Sequence, residues 1–407
     1  MPLEASFRQE SARLVSILVR AFGPARLTLA EDVVQETFLR AVHLWAVNGV
    51  PENPTGWLTQ VAKRLAIDAL RRERIYLPDA ETAFASASVR PEDPEMLGDA
   101  EVEMLFLCCD PCLPIESQIA LTLRELCGLS TREVAKGLMQ GEDAVAQRLV
   151  RAKKTLRTVD WVTSDTNLAE RLVSVLKVIY LMFNEGYASH TDASLVRSEL
   201  CDEAILLANR ISKTKVGNTP ATHALMALML FHSSRLPARV SADGSLNLLA
   251  EQDRSLWDRN RIGGGFRHLE QSGQGDKPSA YHFEAGIAAT HASAATYADT
   301  DWSSVLLYYD LLAELNPSPV ILLNRAIALA MVHGPQSGLE QIDAIENSKS
   351  LKDYYLLPAT KANFLEMLGR NDEARSEYLR ALEFAQNPCE QSFLQKKLMA
   401  VSSYDTK

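Results

Sequence analysis

Basic side chains concentrate in two segments of the sequence, where they could neutralise the phosphates of a nucleic acid. Residues 53–74 hold five basic residues against two acidic ones: Lys63, Arg64, Arg71, Arg72 and Arg74. Residues 142–157 repeat this balance with Arg148, Arg151, Lys153, Lys154 and Arg157. Clustered Lys and Arg side chains bind phosphates by displacing counterions. Each segment by itself is equally compatible with a solvated basic face of a helix.

Cysteine and histidine residues raise the question of a metal or redox site. Cys109 and Cys112 have CxxC spacing beside Cys108, but no second CxxC or nearby histidine completes four ligands. His282 and His291 lie nine residues apart, which is not the i, i+4 spacing of a zinc-binding helix. We therefore predict that Cys108 and Cys109 pack inside a helix, that both histidines are structural, and that the protein has no metal or other cofactor.

A third charged group surrounds Trp257, in "LPARVSADG" and "EQDRSLWD". It contains Arg235, Arg239, Asp243, Asp253, Arg254 and Asp258. Such a group could bind a small anionic signal or hold other parts of the chain. The alternative, which we favour on sequence grounds, is a buried ion-pair network that fixes helix packing. The group remains a candidate regulatory site.

Helices must position these residues, because apolar side chains recur at helical spacing through nearly the whole chain. In "AEDVVQETFLRAVHLW" (residues 30–45) the apolar stripe comprises Ala30, Val33, Val34, Phe38, Ala41, Val42 and Trp45. Thr28 and Glu31 have the spacing of a capping box, which predicts the start of this helix. Asn53 is the predicted N-cap of the next helix, with Pro54 at its first position.

The second basic segment has the pattern of a helix-turn-helix. Ser130 and Glu133 predict a capping box for the first helix, and Met139-Gln140-Gly141 predicts the turn. The second helix is expected to bury Val145, Leu149, Ala152 and Leu156. Gln147, Arg148, Arg151 and Lys154 then point outward, as a helix that enters a major groove requires. An ordinary three-helix bundle with a basic face fits the same pattern.

Composition sets the broad class. The chain has 407 residues, enough for several domains, and its formal net charge of −10 arises partly from an acidic stretch between the basic segments. No apolar run is long enough to span a bilayer, and the N-terminus lacks the plan of a signal peptide. Six cysteines without a repeating framework suit a reducing compartment. We expect a cytoplasmic, all-α protein.

The C-terminal half carries degenerate repeats near residues 286–388. The best copy places Ala362, Leu365, Gly369, Ala374, Tyr378 and Ala381 at tetratricopeptide positions. The predicted organisation is a first helical module (1–76), an acidic linker (77–98), a helix-turn-helix module (99–160) and a helical extension (165–407).

In this order, the elements resemble a bacterial sigma factor of the extracytoplasmic-function type. The resemblance covers residues 5–160 and rests on "AEDVVQETFLRAVHLW", "NPTGWLTQVAKRLAIDALRRER" and "AVAQRLVRAKKTLR". It implies that residues 1–76 are region two and that residues 99–160 are region four. It also implies that the linker runs toward the active-site cleft of RNA polymerase.

The resemblance assigns roles to individual residues. Binding to the clamp helices of the polymerase β′ subunit is implied for Asp32, Gln35, Glu36, Leu39 and Arg40. Recognition and melting of the minus-ten promoter element is implied for Asn48, Asn53, Thr59, Gln60, Lys63, Arg64, Arg71 and Arg72. Reading of the minus-thirty-five element, by a region that also binds the β flap, is implied for Thr131, Arg132, Gln147, Arg148, Arg151, Lys153, Lys154 and Arg157.

The rest of the chain resembles a branch of this family with a long helical extension. The similar segments are "CCDP" (108–111), "FNEGY" (183–187), "LPARVSADG" (236–244), "EQDRSLWD" (251–258) and "TDW" (300–302). The branch implies that the extension replaces or supplements conventional regulation, with a regulatory protein or ligand as its partner. Asp110 departs from the histidine usual in the branch, and Cys112 is an addition.

The expected function is therefore that of a sigma factor, which performs no bond chemistry itself. The alternative is a one-component helix-turn-helix regulator with a ligand-sensing C-terminal domain, but it leaves the polar face of residues 30–45 without a role. An enzyme within residues 165–407 is a third reading, and no catalytic constellation supports it.

Overall fold

The computed structural model confirms the all-α prediction. It describes residues 3–72, 84, 100–138, 140–159, 165–187, 198–239, 241, 247–275, 277–346, 348, 351–385 and 388–402. The chain forms two units: residues 1–186 with 199–219, and residues 187–198 with 220–407. None of the described helices is long and apolar enough to cross a bilayer.

Three helices form the first part of unit one: α1 (Leu3–Phe22), α2 (Leu27–Asn48) and α3 (Pro54–Arg72). They pack against one another, and α2 buries Ala30, Val33, Val34 and Ala41 of its predicted stripe. The predicted start of α2 is wrong. The helix begins at Leu27, directly after a 3₁₀ turn (Pro24–Arg26), and no side chain caps it. Thr28 and Glu31 contact residues of another module instead.

Six further helices continue unit one: α4 (Ala100–Cys108), α5 (Ile115–Glu125), α6 (Thr131–Gly137), α7 (Glu142–Leu156), α8 (Asp165–Tyr187) and α9 (Ser198–Ile211). The capping box of α6 is confirmed, because the Ser130 N–H donates to Glu133 Oε2 over 2.8 Å and the Glu133 N–H donates to Ser130 Oγ over 3.2 Å. Helix α7 buries its four predicted apolar residues. The helix-turn-helix is thus built as its pattern predicted.

The connection between the two modules falls mostly outside the described residues. Of the predicted linker 77–98, the structure describes Phe84, which is buried and stacks on Phe22 with ring centroids 6.4 Å apart. Met139 of the predicted turn also lies outside the described residues. Helix α1 packs on α4, where Arg20 Nε is 3.4 Å from Glu103 Oε2.

A buried ion pair fixes the segment before α5. Asp110 Oδ2 lies 2.7 Å from an Nη of Arg171 in α8, and both side chains are largely removed from water. Asp110 also accepts the N–H of Cys112 through Oδ1 over 2.9 Å. Asp110 thus holds α8 against the helix-turn-helix module.

Unit two contains α10 (Pro220–Ser234), α11 (Leu236–Arg239), α12 (Arg259–Ser272), α13 (Ala280–Ser293), α14 (Trp302–Leu315), α15 (Pro319–His333), α16 (Pro335–Ile345), α17 (Leu356–Met367), α18 (Asn371–Phe384) and α19 (Pro388–Ser402). From α12 onward each helix packs on the next. Ala362, Leu365, Ala374, Tyr378 and Ala381 share one core, as the repeat pattern predicts. Gly369 turns between α17 and α18 with φ of +75°.

Candidate functional site

The polar face of α2 is exposed in the described part of the chain. Asp32, Gln35, Glu36, Leu39 and Arg40, the five residues with an implied polymerase role, are all exposed. Leu39, in the middle of the helix, is 57% exposed. Arg40 Nε donates to Glu36 Oε1 over 2.8 Å. The face is available for a partner, and Leu39 gives it an apolar centre.

Apolar exposure on α2 extends further than the sequence pattern predicts. Val42, assigned to the buried stripe, is 59% exposed, so that assignment is wrong. It lines an open groove with Val34, Gln35, Phe38 and Leu39. Val47 and Val50 are exposed beyond it. Helical spacing places Val42 on the apolar face, but α1 and α3 contact Trp45 at this end of α2 and leave Val42 exposed, and only the fold reveals that.

Helix α3 has a basic surface, and this surface includes several of the residues with an implied role at the minus-ten element. Gln60, Arg64, Arg71 and Arg72 are exposed, as is Asn48 at the end of α2, and Lys63 is half-buried. This arrangement leaves most of the predicted basic groups open to a nucleic-acid backbone.

Two members of the same set already have structural partners. Asn53 Oδ1 accepts the Gly56 N–H over 2.9 Å, which confirms the predicted cap of α3. Thr59 Oγ1 accepts from Arg13 over 2.8 Å and donates to the Thr55 carbonyl over 2.8 Å. A base contact through either side chain therefore requires a bond within the protein to be shared or exchanged.

The outward face of α7 agrees with the helix-turn-helix prediction in most positions. Gln147, Arg151 and Lys154 are exposed, and Arg132 of α6 is exposed while Thr131 is half-buried. Arg148 differs, because it is half-buried and donates to Gln140 Oε1 of the turn. Arg148 thus orders the helix-turn-helix as well as facing outward.

Lys153 and Arg157 contact the first module. Lys153 Nζ lies 2.5 Å from Glu31 Oε1 of α2 and 2.8 Å from Glu125 Oε1 of α5. Arg157 donates to Thr28 Oγ1 over 2.8 Å, and Arg8 of α1 pairs with Glu133 of α6 over 2.7 Å. These bonds join the two basic modules within unit one.

The environment of Lys153 favours its charged state. Burial disfavours the ammonium, but Glu125 and Glu31 raise the pKa of Lys153 above its ordinary value. Burial raises the pKa of Glu125, and the attraction of Lys153 opposes that shift. A cation held between two carboxylates is poorly placed to contact a phosphate. The sequence gives no local signal of this contact, because Glu31 is 122 positions away.

The cysteines lie where packing was predicted. Cys108 and Cys109 are buried at the end of α4, and burial raises the pKa of the Cys109 thiol to about 12. Cys112 is exposed. Within the residues that the structure describes, no group of three His, Cys, Asp or Glu side chains is arranged to hold a metal.

His282 accepts the Ser279 N–H over 2.9 Å at the start of α13, and His291 is buried against Trp302, so both are structural as predicted.

Among the described members of the charged group in unit two, no ion pair of the network favoured from the sequence is present. Asp253 accepts the Ser255 N–H and Asp258 accepts the Asn260 and Arg261 N–H groups, so both acids cap helices. Asp243 lies outside the described residues. We call Arg235, Arg239, Arg254, Trp257 and Tyr187 the arginine cluster. The carboxylates of Asp253 and Asp258 accept local backbone N–H groups and do not pair with the three arginines of the cluster. The sequence pattern did not predict this.

Comparison with known families matches three segments of the chain. Sigma-70 region 2 matches residues 7–75, and Sigma-70 region 4 matches residues 104–156. A family of unknown function, DUF6596, matches residues 171–273, which include all of the arginine cluster. The exposed face of α2, the basic face of α3 and the helix-turn-helix lie within the first two matches.

Individual relatives give the same division. An uncharacterized protein of Rhizobium meliloti is 35% identical over 400 residues, which cover 95% of this chain and 94% of the relative. The probable RNA polymerase sigma factor RfaY of Xanthomonas campestris is 34% identical over 31% of this chain and 33% of its own length. The ECF RNA polymerase sigma factor SigX of Bacillus subtilis is 26% identical over 31% of this chain and 68% of its own length.

Proposed function

The chain belongs to the extracytoplasmic-function sigma-70 family, and from this premise we propose which of its surfaces engage RNA polymerase and promoter DNA. As a sigma factor it acts in transcription initiation, with core RNA polymerase and promoter DNA as its partners. Members of this family are non-enzymatic DNA-binding regulators. A one-component regulator is not favoured, because that reading gives no role to a region-2 module.

The observation that carries the surface assignment is the exposed face of α2. Asp32, Gln35, Glu36 and Arg40 surround the exposed Leu39, and we assign this face to the clamp helices of the β′ subunit. Val42 extends the same face and joins the assignment. An apolar centre with a charged rim is the usual anatomy of a protein–protein interface.

Promoter binding is assigned to two helices. The exposed basic residues of α3 neutralise the backbone at the minus-ten element and stabilise its separated strands. Helix α7 enters the major groove of the minus-thirty-five element with Gln147, Arg151 and Lys154. Region four also binds the β flap, and the linker runs toward the active-site cleft. The protein is assigned to the cytoplasm, where its polymerase partner is found.

Full engagement of α7 requires a change within unit one. Lys153 reaches DNA only after it leaves Glu31 and Glu125, and Arg157 only after it leaves Thr28. Glu31, which holds Lys153, lies on the same helix as the face assigned to polymerase. Polymerase binding to α2 thereby releases α7 for promoter DNA, and the extension (165–407) regulates the step.

Promoter-dependent run-off transcription tests the proposal. The full-length protein is mixed with core polymerase and a library of promoter fragments. Transcripts that require this protein are the expected result. Sequence-specific duplex binding without polymerase, and no dependent transcripts, would instead support a one-component regulator.

A further inference from the structure

The arginine cluster places three guanidinium groups around two aromatic rings in unit two. The Cζ atom of Arg239 lies 3.8 Å from the Tyr187 ring centroid, and that of Arg254 lies 4.7 Å from the Trp257 centroid. Arg235 lies between them, with Cζ 6.0 Å from each ring. Guanidinium groups stack favourably on such rings, which therefore hold the three cations close together.

No described carboxylate forms an ion pair with these guanidinium groups, although the charge of Asp299 acts on Arg254. Within the described part of the chain, Arg235, Arg239 and Arg254 form no ion pair, and their hydrogen bonds go to uncharged acceptors. Arg254, for example, donates to the carbonyls of His291 and Ala294. The acids nearest in sequence, Asp253 and Asp258, are used as helix caps. Three fixed positive charges thus share one site, since arginine stays protonated in proteins.

The cluster also contains buried donors that have no acceptor. Arg254 is 8% exposed and Trp257 is 3% exposed. Arg254 Nη2, Arg235 Nε and the Trp257 indole N–H form no hydrogen bond to any described residue. Buried donors are normally paired, and a group of unpaired ones calls for a bound acceptor.

The positive charge of the cluster also lowers the pKa values of neighbouring ionisable groups. Burial lowers the pKa of Arg254, the charge of Arg235 lowers it further, and the Asp299 carboxylate opposes the shift in part. Burial lowers the pKa of His291 to about 4, with Arg235 and Arg254 adding to the shift. An anion at this position would relieve both repulsions.

We propose that the arginine cluster is a binding site for a small oxyanion, a phosphate or carboxylate group. Two N–H groups of one guanidinium can donate to two oxygens of such an anion, and the site offers donors and positive charge with no described carboxylate in ion-pair contact. Burial of Arg254 and Trp257 restricts the guest to a small molecule or a terminal group. The C-terminal extension thereby binds a ligand of its own, within the segment that matches the family of unknown function.

Calorimetric titration of the full-length protein tests the site without polymerase. The probes are pyrophosphate and citrate, each titrated against chloride at matched ionic strength. We expect one equivalent of at least one probe to bind. Pyrophosphate alone identifies a phosphate site, citrate alone identifies a carboxylate site, and binding of neither overturns the proposal.

Substitutions locate the bound anion. Arg235→Gln and Arg239→Gln, at half-buried positions, are each expected to weaken binding at least tenfold. Arg370→Gln, at an exposed arginine that already pairs with Glu373, should leave it unchanged. Arg151→Gln on α7 excludes binding to the basic DNA surface, and should also have no effect. Wild-type affinity in both cluster variants, or a loss in Arg151→Gln alone, would overturn the site. Because no DNA or polymerase is present, this result is independent of the transcription assay.

Discussion

Lys153 of helix α7 lies 2.5 Å from Glu31 of helix α2. The two side chains are each 16% exposed, so water screens this contact less than it would a surface pair. One ion pair thus links the helix assigned to DNA with the helix assigned to polymerase.

Glu31→Gln should loosen the junction between these modules. Lys153 keeps Glu125 but loses the charge that attracts it to α2, which corresponds to about 1 kcal/mol for a partly buried pair. We expect amide hydrogen exchange in α2 and α7 to accelerate up to about fivefold. Transcription at limiting polymerase should rise with it. Glu142→Gln, at an exposed acid on α7, is the control. Unchanged exchange and transcription in Glu31→Gln would refute a role for this pair.

The face of α2 is tested by Asp32→Ala with Arg40→Ala, and separately by Leu39→Ser. All three side chains are exposed, so the free energy of unfolding should change by less than about 0.5 kcal/mol. Core polymerase affinity should fall about tenfold in each variant, because charged and apolar contacts are lost at the interface. Affinity is measured by fluorescence anisotropy of labelled protein. Lys213→Ala, an exposed site elsewhere in unit one, is the control. Equal affinity in all of them would place the polymerase face elsewhere.

Arg151 and Arg148 should behave differently although they are neighbours on α7. Arg151→Ala removes an exposed cation and should lower promoter affinity of the holoenzyme by about 1–3 kcal/mol without changing stability. Arg148→Ala should lower affinity too, but it also removes the bond to Gln140 and should destabilise the helix-turn-helix. Promoter binding and urea unfolding are measured on both, with Arg370→Ala as the control. Identical stability of the two variants would contradict the structural role of Arg148.

The stability of unit one should depend on Asp110 and Arg171 being present together. Asp110→Asn leaves a buried guanidinium without its charge partner, and we expect the free energy of unfolding to fall by about 3 kcal/mol. Adding Arg171→Met should recover part of the loss, since no unpaired charge then remains. A double-mutant cycle by urea unfolding measures this. Simple additivity of the two losses would show that the charges are not coupled.

Acidification should destabilise unit two through His291. Its folded pKa is about 4, below the ordinary value of 6.5, because burial and then Arg235 and Arg254 disfavour the charged ring. The unfolded state therefore binds a proton first, and stability falls as pH drops from about 6.5 toward 4. We expect His291 by itself to contribute about 2 kcal/mol to the loss of stability at pH 5 relative to pH 7.

A comparison of unfolding at pH 7 and pH 5 isolates this contribution. His291→Gln should show a smaller loss of stability on acidification than the wild type does. His333→Gln, at an exposed histidine, should lose as much stability on acidification as the wild type does. An equal pH dependence in the wild type and in His291→Gln would show that His291 does not carry it.

The helices and their apolar faces followed from the sequence because their signals are local. The buried stripe of α7 depends on helical spacing, and the Ser130–Glu133 capping box depends on residues three apart. The cap of α3 by Asn53 is local in the same way. The capping box at Thr28 failed because both members had partners in another module, which its spacing could not disclose.

The features of the candidate sites also divide into those that local sequence sets and those that tertiary packing sets. The sequence determined that α2 has a polar face centred on Leu39 and that α7 has a basic one. Tertiary structure decided that Val42 is uncovered, that Lys153 is held by Glu31, and that the acids beside the arginine cluster serve as helix caps. Periodicity specifies which side chains share a face. Whether a neighbour covers that face, and which distant charge pairs with it, depends on packing between segments far apart in the chain.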